Sequence, residues 1–216
     1  MSLPGRAVIA SWSHVDMEAR PRVRDWHTRE HIPERLCLPG FLRARRYCGV
    51  GDAGAFFILY DAADLRALTS TAYLARLNDP TPWTRRSVVE LKRSVRGVCR
   101  VIFSRGSGVG GVIGTIRLDA QSGEQNFLDD DFVETILGWP SIVGLHICRA
   151  DIPASTVQTV EAATRDVAAP DVIILVEGLT AEAVSDAIAA ITGYLPVAAI
   201  SDCFRLEYLR ERAGGI

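Results

Sequence analysis

The same predicted order of strands and helices occurs twice along this chain of 216 residues, and this repetition constrains the fold more than any other feature. Short apolar or β-branched runs are typical of strands, and the segments between them open at capping residues, which is typical of helices. Residues 36–41 (LCLPGF) are echoed by residues 137–142 (LGWPSI), and residues 56–61 (FFILYD) by residues 172–177 (VIILVE). Each half therefore predicts a βαββαβ unit, the order of a ferredoxin-like fold.

The predicted elements have definite bounds in both halves. In the first half we expect strands and helices at residues 6–12 (β), 17–31 (α), 41–50 (β), 55–60 (β), 64–77 (α) and 98–103 (β). In the second half we expect them at residues 111–118 (β), 129–137 (α), 172–177 (β), 180–194 (α) and 203–209 (β). Asp16 is expected to cap the first helix, and Pro33 to end or kink it, because proline cannot donate the helical hydrogen bond.

Two such units predict an α+β protein made of tandem ferredoxin-like repeats. Each antiparallel sheet would have helices on one face and a bare apolar face on the other, so the repeats should pack sheet to sheet as a pseudo-dimeric α/β barrel. The glycine-rich link at residues 105–111 separates a first repeat, residues 1–107, from a degenerate second repeat, residues 108–216. The link contains the glycine spacing of a dinucleotide-binding loop (GSGVGG), but a strand follows it instead of a helix, which argues against a nucleotide site.

Composition and charge limit the partners of the chain. Apolar residues make up 48% and charged residues 23%, as in an ordinary soluble protein. The five scattered cysteines include no CxxC pair, which is typical of reduced thiols, so we expect a cytoplasmic protein without a membrane partner. Residues 1–107 carry 18 basic and 10 acidic residues, whereas residues 108–216 carry 6 and 16. The basic residues are interleaved with apolar ones, which favours a pocket for an anionic small molecule over nucleic-acid binding.

Residues 26–36 (WHTREHIPERL) hold two of the four histidines and two carboxylates near a helix end. His27 and His31 lie four residues apart, so both project from one helix face, and Glu30 and Glu34 flank them. The run HTREH also matches the inverted zinc-protease motif, but that chemistry needs a third protein ligand and a larger fold. We therefore predict no metal site; a single ion held by both histidines and a carboxylate is an alternative that nothing else in the sequence supports.

Two interpretations of these histidines stay open at this point. In the structural one, His31 ends the helix and packs under the turn at Pro39, while Glu30 and Glu34 form solvated ion pairs with neighbouring arginines. In the functional one, a histidine that is neutral near physiological pH accepts a proton from a carbon acid or a phenol, and Glu30 orients its ring. An enclosed cavity around His31 would favour the functional interpretation.

A family resemblance supports the functional interpretation. Residues 26–36, the run LPGF that follows them and the Arg46-Tyr47 pair on the next strand resemble the EthD-type members of the dimeric α/β-barrel superfamily. The resemblance is specific over residues 24–47 and looser over the rest of the first half, while the second half shares the fold pattern alone. It implies a pocket between the helices and the sheet of one repeat, and the family histidine corresponds to His31.

The superfamily includes muconolactone isomerase, aromatic polyketide cyclases, cofactor-free monooxygenases that form quinones, and many members without a known activity. The resemblance implies a cofactor-independent enzyme that isomerises, cyclises or dehydrates a small aromatic or enolisable anionic compound, with monooxygenase-like chemistry as a related activity. His31 would be the acid or base, assisted by Glu30; His27 has no counterpart in the family and is a further catalytic candidate. The competing class is a non-catalytic protein that binds a small ligand or is associated with stress.

Candidate substrate contacts lie on the strand after the histidines and among the aromatic residues. Side chains alternate along a strand, so Arg43, Arg45 and Tyr47 share one face and Arg46 takes the other. Whichever face meets the pocket would bring a guanidinium that holds an anion or stabilises an enolate. Three aromatic residues are candidates for walling the substrate, with ordinary core packing as the alternative: Trp26, Tyr73 and Trp83.

The remaining histidines carry weaker signals. His14 follows the first strand and is expected to be exposed. His146 aligns with Arg45 when Pro39 is set against Pro140, so it should face the interface between the repeats as a strand histidine. A weaker alternative makes it the axial ligand of a haem, since relatives of this fold bind haem through a histidine. The expected partner is a small molecule and no cofactor is predicted. The sequence does not decide whether two chains form a homodimer, because the internal pairing already supplies the dimer that is usual in the superfamily.

Overall fold

The computed structural model describes residues 3–119, 128–164 and 169–213. The strands are β1 (Ala7–His14), β2 (Phe41–Gly49), β3 (Ala55–Ala62), β4 (Lys92–Gly106), β5 (Val112–Leu118), β6 (Ile142–Ala150), β7 (Val172–Gly178) and β8 (Ala199–Glu211). The helices are α1 (Arg20–Trp26), α2 (Ile32–Cys37), α3 (Leu65–Leu68), α4 (Thr71–Asn78), α5 (Pro82–Val88), α6 (Asp130–Leu137), α7 (Ile152–Ser155) and α8 (Ala181–Tyr194). A π-helical turn, His27–His31, joins α1 to α2, and Ala162–Thr164 form a 3₁₀ turn. No helix within the described ranges is long and apolar enough to cross a membrane.

These eight strands close into an antiparallel barrel in the order β1-β3-β2-β8-β5-β7-β6-β4. The strands of each half are contiguous, and the halves meet at two seams, where β2 pairs with β8 and β4 pairs with β6. Closure pairs both edges of every strand in the barrel, so no edge is left to recruit another chain. The predicted fold class, an α+β pseudo-dimeric barrel of ferredoxin-like sheets, is confirmed.

Apolar side chains pack on both faces of the barrel wall. The interior combines residues of both halves, such as Phe57 and Phe204, whose ring centroids are 5.4 Å apart. On the outer face, helices pack on the strands, as shown by the clusters around Phe41 and Ile188. Helix α7 of the second half packs against β4 of the first half, where Ser155 accepts a hydrogen bond from the Val98 amide. Side-chain alternation along each strand produces both layers. A cavity under the helices is consequently separated from the barrel interior by the sheet itself.

The first helix departs from the sequence prediction at both ends. It begins at Arg20 and not at residue 17, and Asp16 contributes its backbone carbonyl to the turn while its side chain pairs with Lys92. Pro33 does not end the helix, because it lies in the first turn of α2, where a missing N–H costs no hydrogen bond. The helical hydrogen bonding changes just before Pro33: the Ile32 N–H donates to the carbonyl of His27, five residues earlier, which defines the π turn.

Two further elements of the first half differ from the prediction. The helix expected at residues 64–77 is two helices, because Ser70 caps a new start by accepting a hydrogen bond from the Tyr73 amide. The strand expected at residues 98–103 begins six residues earlier, at Lys92, and runs to Gly106. The longer β4 matters for the site, because it brings a stretch of chain predicted to be irregular or helical onto the wall of the cavity described below.

Candidate active site

The candidate site is a cavity between the helices of the first half and the outer face of the sheet. It encloses about 30 Å³, which is room for about two water molecules. Both halves of the chain line it, through Ile9, Ser11, His27, His31, Arg35, Ile58, Tyr60, Tyr73, Leu91, Arg96 and Glu161. Because histidine, arginine, glutamate and tyrosine side chains surround so small a space, the cavity suits a polar group of a ligand.

Both histidines of the predicted motif lie in this wall, one against the other. The rings of His27 and His31 are stacked, with centroids 5.3 Å apart and planes inclined by 27°. They are almost fully buried, at 1% and 6% exposure. Trp26 supports the pair from behind: its ring centroid is 4.5 Å from that of His31, and its Nε1 donates to Thr84 Oγ1 at 3.1 Å. The motif therefore forms a rigid, enclosed pair of imidazoles and not a solvated helix end.

His27 is held neutral by its surroundings. Burial lowers the pKa of His27 well below its usual value of 6.5, and the neighbouring His31 acts in the same direction. The cations Arg46 and Arg35 add to this effect. The Nε2 atom of His27 lies 3.4 Å from the Tyr60 hydroxyl, while its Nδ1 is buried without a hydrogen-bond partner. A neutral imidazole next to a phenol can accept a proton or polarise a bound group.

The lowered pKa of His27 predicts a pH dependence of stability. Below pH 6.5 the unfolded chain binds a proton at this histidine that the folded chain does not, so the free energy of unfolding should fall as the pH falls. One such group contributes at most about 1.4 kcal/mol per pH unit. Urea unfolding at pH 7.5 and 5.5 should show a shallower loss of stability in His27→Gln than in the wild type. Equal slopes for the wild type and His27→Gln would contradict the prediction.

Within the described part of the chain, a carboxylate of the second half approaches His31. Glu161 Oε1 lies 3.9 Å from His31 Nε2, and its other oxygen binds the Arg35 guanidinium. Glu161 is fixed there by its amide, which donates to the Leu77 carbonyl at 3.1 Å. Burial lowers the pKa of Arg35, but Glu161, Tyr73 and Tyr60 together outweigh burial, so the net shift of the Arg35 pKa is upward. The second half of the chain thus contributes a charged group to the cavity, beyond closing the barrel.

Glu30 does not take the role predicted for it. Its carboxylate accepts hydrogen bonds from Thr81 Oγ1 at 2.6 Å and Thr84 Oγ1 at 3.1 Å, which ties the π turn to α5. Glu30 precedes His31 by one residue, so the helix turns its side chain roughly 100° away from the cavity. The prediction that Glu30 orients the histidine is corrected by this geometry, and Glu161 occupies the position instead.

The arginines predicted to bind substrate lie on the other side of the sheet. Arg43, Arg45 and Tyr47 share a face, as alternation predicts, but that face is the barrel interior, and they do not line the histidine cavity. Arg46 takes the helix side, where its Nη1 donates to Thr28 Oγ1 at 3.0 Å. Burial, together with the like charge of Arg24, lowers the pKa of Arg46 to about 10.

The interior residues form a charged network that joins the two halves. Arg45 lies 2.8 Å from Glu177 Oε1 and 3.3 Å from Asp61 Oδ1, and Arg43 binds the other oxygen of Asp61 at 2.7 Å. His146, predicted to face the interface between the repeats, lies there with its Nε2 3.4 Å from Glu177 Oε1. Burial raises the pKa of Glu177, but His146 and Arg45 outweigh it and bring the value to about 2.

The remaining predicted residues divide between the cavity and the core. Tyr73 lines the cavity, and its ring lies 5.7 Å from the Arg35 guanidinium. Trp26 packs behind the histidines, and Trp83 packs with it in an apolar cluster under α1 and does not line the cavity. His14 is 34% exposed, 3.8 Å from Asp52. Within the described ranges, no group of three or more His, Cys, Asp or Glu side chains is placed to hold a metal ion.

Sequence reasoning missed most of the residues that line the cavity, among them Arg35, Tyr60, Arg96 and Glu161. Arg35 follows His31 by four residues and therefore shares its helix face, a signal that was present in the sequence. Arg96 lies opposite Ser11 in the pairing of β4 with β1, but that part of β4 was not recognised as strand. Glu161 lies outside both repeated patterns, and no local signal pointed to it.

No family model and no curated protein matches this chain. Solved structures do match it over nearly its whole length. The structure of an anthrone oxidase-like protein has a TM-score of 0.65 and 10% identity, covering 96% of this chain and 94% of that one. A candidate monooxygenase from Fusobacterium nucleatum has a TM-score of 0.57 and 9% identity, covering 99% and 98%. A candidate monooxygenase from Lactobacillus acidophilus has a TM-score of 0.53 and 9% identity, covering 96% and 97%. These similarities show a shared fold, the ferredoxin-like dimeric α/β barrel.

Proposed function

We propose that this protein is a cofactor-independent enzyme that transfers a proton on a small aromatic or enolisable anionic compound, with His31 as the acid or base. One observation carries the proposal: two stacked, buried imidazoles face an enclosed cavity that also contains the Arg35–Glu161 ion pair. Titratable groups gathered in a concave, water-restricted site are the usual setting of acid–base catalysis.

The residues around His31 have distinct roles in this proposal. Glu161, 3.9 Å from His31 Nε2, stabilises the imidazolium that forms when the histidine accepts a proton from carbon. Arg35 and the Tyr60 hydroxyl line the same cavity and stabilise the negative charge that develops on the enolate oxygen. His27, neutral through burial, holds the Tyr60 hydroxyl in place and is a second proton acceptor.

The names of the structurally similar proteins support this chemical class. One of them is anthrone oxidase-like, and two are candidate monooxygenases. Anthrone is an aromatic ketone whose methylene group enolises, so its oxidation begins with the proton transfer proposed here. Dioxygen then converts the methylene carbon to a quinone carbonyl and releases one water. Membership in the EthD-type group, inferred from residues 24–47, is part of the proposal and points to the same class of substrates.

A non-catalytic ligand-binding protein is the second candidate, and the size of the cavity favours it. The enclosed 30 Å³ does not admit an aromatic ring without movement of the lining residues. A cavity of this small volume is also expected in a protein whose buried histidines contact only a few water molecules. Either candidate must open this space when a ligand enters, and the two therefore differ in whether the bound ligand exchanges a proton.

The test follows the ring protons of His31 by NMR across pH, without ligand and with phenylpyruvate or anthrone. A ligand-dependent change in the titration of His31, absent for the exposed His14, is the expected result. Phenylpyruvate carries a carboxylate and an enolisable methylene, so the loss of its methylene signal in D₂O reports proton exchange directly. We expect the protein to accelerate this exchange above the buffer rate.

The two candidates give opposite outcomes in this experiment. Ligand-dependent titration without exchange would establish the binding protein and overturn the enzyme. If neither compound changes the titration of His31 and exchange proceeds at the buffer rate, the result would also argue against the enzyme. Anaerobic and aerobic samples of anthrone separate proton transfer from oxygenation, because only the second consumes dioxygen and forms anthraquinone.

A further inference from the structure

Arg96 stands at the junction of two cavities. It lies on β4 directly opposite Ser11 of β1, and both residues line the histidine cavity. A second cavity of about 40 Å³ adjoins the first, and Arg96, Tyr73 and Glu161 line both of them. Nη2 of Arg96 donates to the Tyr73 hydroxyl at 3.0 Å, so this hydrogen bond stands between the two spaces.

Arg96 also differs from Arg35 in having no carboxylate partner among the described residues. Arg35 is neutralised by Glu161, which binds it directly. Among the described residues, no carboxylate lies within 4 Å of the Arg96 guanidinium, and its hydrogen bond goes to a neutral phenol. Counting the described residues alone, an ion pair plus an additional guanidinium gives one positive charge in excess, which attracts an anion.

The second cavity indicates what the rest of the ligand is like. Its walls are mainly aliphatic and come from the first half and from the segment around α7 of the second half, namely Leu68, Leu74, Leu77, Ala154, Val157 and Ala162. A ligand with its anionic group at Arg96 would thus have an apolar body on one side and the histidines on the other. This is the geometry for a compound that carries an acid next to an apolar or aromatic group.

We propose that Arg96 is the residue that anchors the carboxylate of an aryl or alkyl carboxylic acid at the junction of the two cavities. The inference rests on the proposed function for its cavity, but carboxylate binding needs no catalysis. The incoming carboxylate replaces the Tyr73 hydroxyl as the partner of Arg96, exchanging a neutral hydrogen bond for a charge-assisted one, which is stronger. Release of Tyr73 joins the two spaces and admits the body of the ligand.

The experiment compares benzoate with benzamide, which has nearly the same shape and no charge. Calorimetry on the wild-type protein should show benzoate binding at least tenfold more tightly than benzamide. Arg96→Gln should lose this preference, because its side chain is neutral. Arg100→Gln is the matched control on the same strand: Arg100 is exposed and pairs with Asp151, so this variant should keep the wild-type preference.

A second measurement uses the wild-type protein alone, in case Arg96→Gln folds poorly. The Nε–Hε signal of Arg96 in NMR should shift on addition of benzoate and not of benzamide. Equal affinities of the wild type for the two compounds, no binding of benzoate, or an unchanged Arg96 signal would each overturn the proposal. His31→Gln separates it from the proposed function: this variant should still prefer benzoate, whether or not His31 transfers protons.

Discussion

Replacing His31 by glutamine should lower the protein-catalysed proton exchange of phenylpyruvate by about 100- to 10,000-fold, the usual contribution of a general base. Glutamine approximates the size and hydrogen bonding of the imidazole but cannot take up a proton, so the cavity should persist without its base. The rate is measured as the loss of the methylene signal in D₂O, after subtraction of the buffer rate. Unchanged circular dichroism and melting temperature would show that the loss is chemical.

His14→Gln is the matched control for this prediction. His14 lies at the end of β1 near Asp52, 34% exposed and outside the cavity, so its loss should leave the exchange rate within about twofold of the wild type. Glu161→Gln should lower the rate less than His31→Gln does, because the imidazolium loses a stabilising charge while the base is retained. Equal rates for wild type and His31→Gln would remove His31 from the catalytic role.

Replacing Arg45 by methionine should lower the free energy of unfolding by about 3–5 kcal/mol, the usual cost of breaking a buried ion pair. Methionine matches much of the volume of arginine but leaves Glu177 without its guanidinium, in a barrel interior where Arg45 and Glu177 are both 0% exposed. Asp61 keeps Arg43 as a partner at 2.7 Å, so the penalty falls mainly on Glu177. Urea unfolding monitored by tryptophan fluorescence measures the change.

Two comparisons show whether burial causes this loss. Arg29→Met removes an exposed arginine that pairs with Asp25 one helical turn away, and it should cost only about 0.3–0.5 kcal/mol. Arg45→Met combined with Glu177→Gln should be more stable than Arg45→Met alone, because the buried carboxylate that lost its guanidinium partner is gone. A cost below about 1 kcal/mol for Arg45→Met would mean that water or structural relaxation satisfies Glu177.

The fold could be predicted because its signals are local and repeated. Strand alternation, capping residues such as Thr180 and Asp129, and the echo of LCLPGF by LGWPSI each depend on a few neighbouring residues. The predicted bounds were wrong where neighbouring residues favour different local structures. Pro33 is an unfavourable residue inside a helix, yet the chain continues through it, because the π turn before it takes up the distortion and packing against the sheet stabilises both sides.

The site was predicted in part, for a reason that particular residues make clear. His27 and His31 were predicted to share a helix face, and Tyr73 was a candidate for the wall of the pocket; all three line the cavity, while their chemical roles stay predictions. Glu30 was chosen because it is adjacent to His31 in sequence, but consecutive residues of a helix point in different directions, so the Glu30 side chain points away from the cavity. Glu161, which approaches His31 to 3.9 Å, lies 130 positions farther along the chain, and only closure of the barrel brings it there.

The sequence alone determined the order of the elements, the pairing of two similar halves into a barrel, the helix face shared by His27 and His31, and the strand face shared by Arg43, Arg45 and Tyr47. These properties follow from periodicities of 3.6 and 2 residues, which any short segment expresses by itself. Only the tertiary structure decided which strand face meets the helices, which carboxylate approaches the histidines, and which cavity arginine pairs with a carboxylate. Those outcomes depend on contacts between distant segments, because the energy of a buried charge is set by the partners that the closed barrel brings to it.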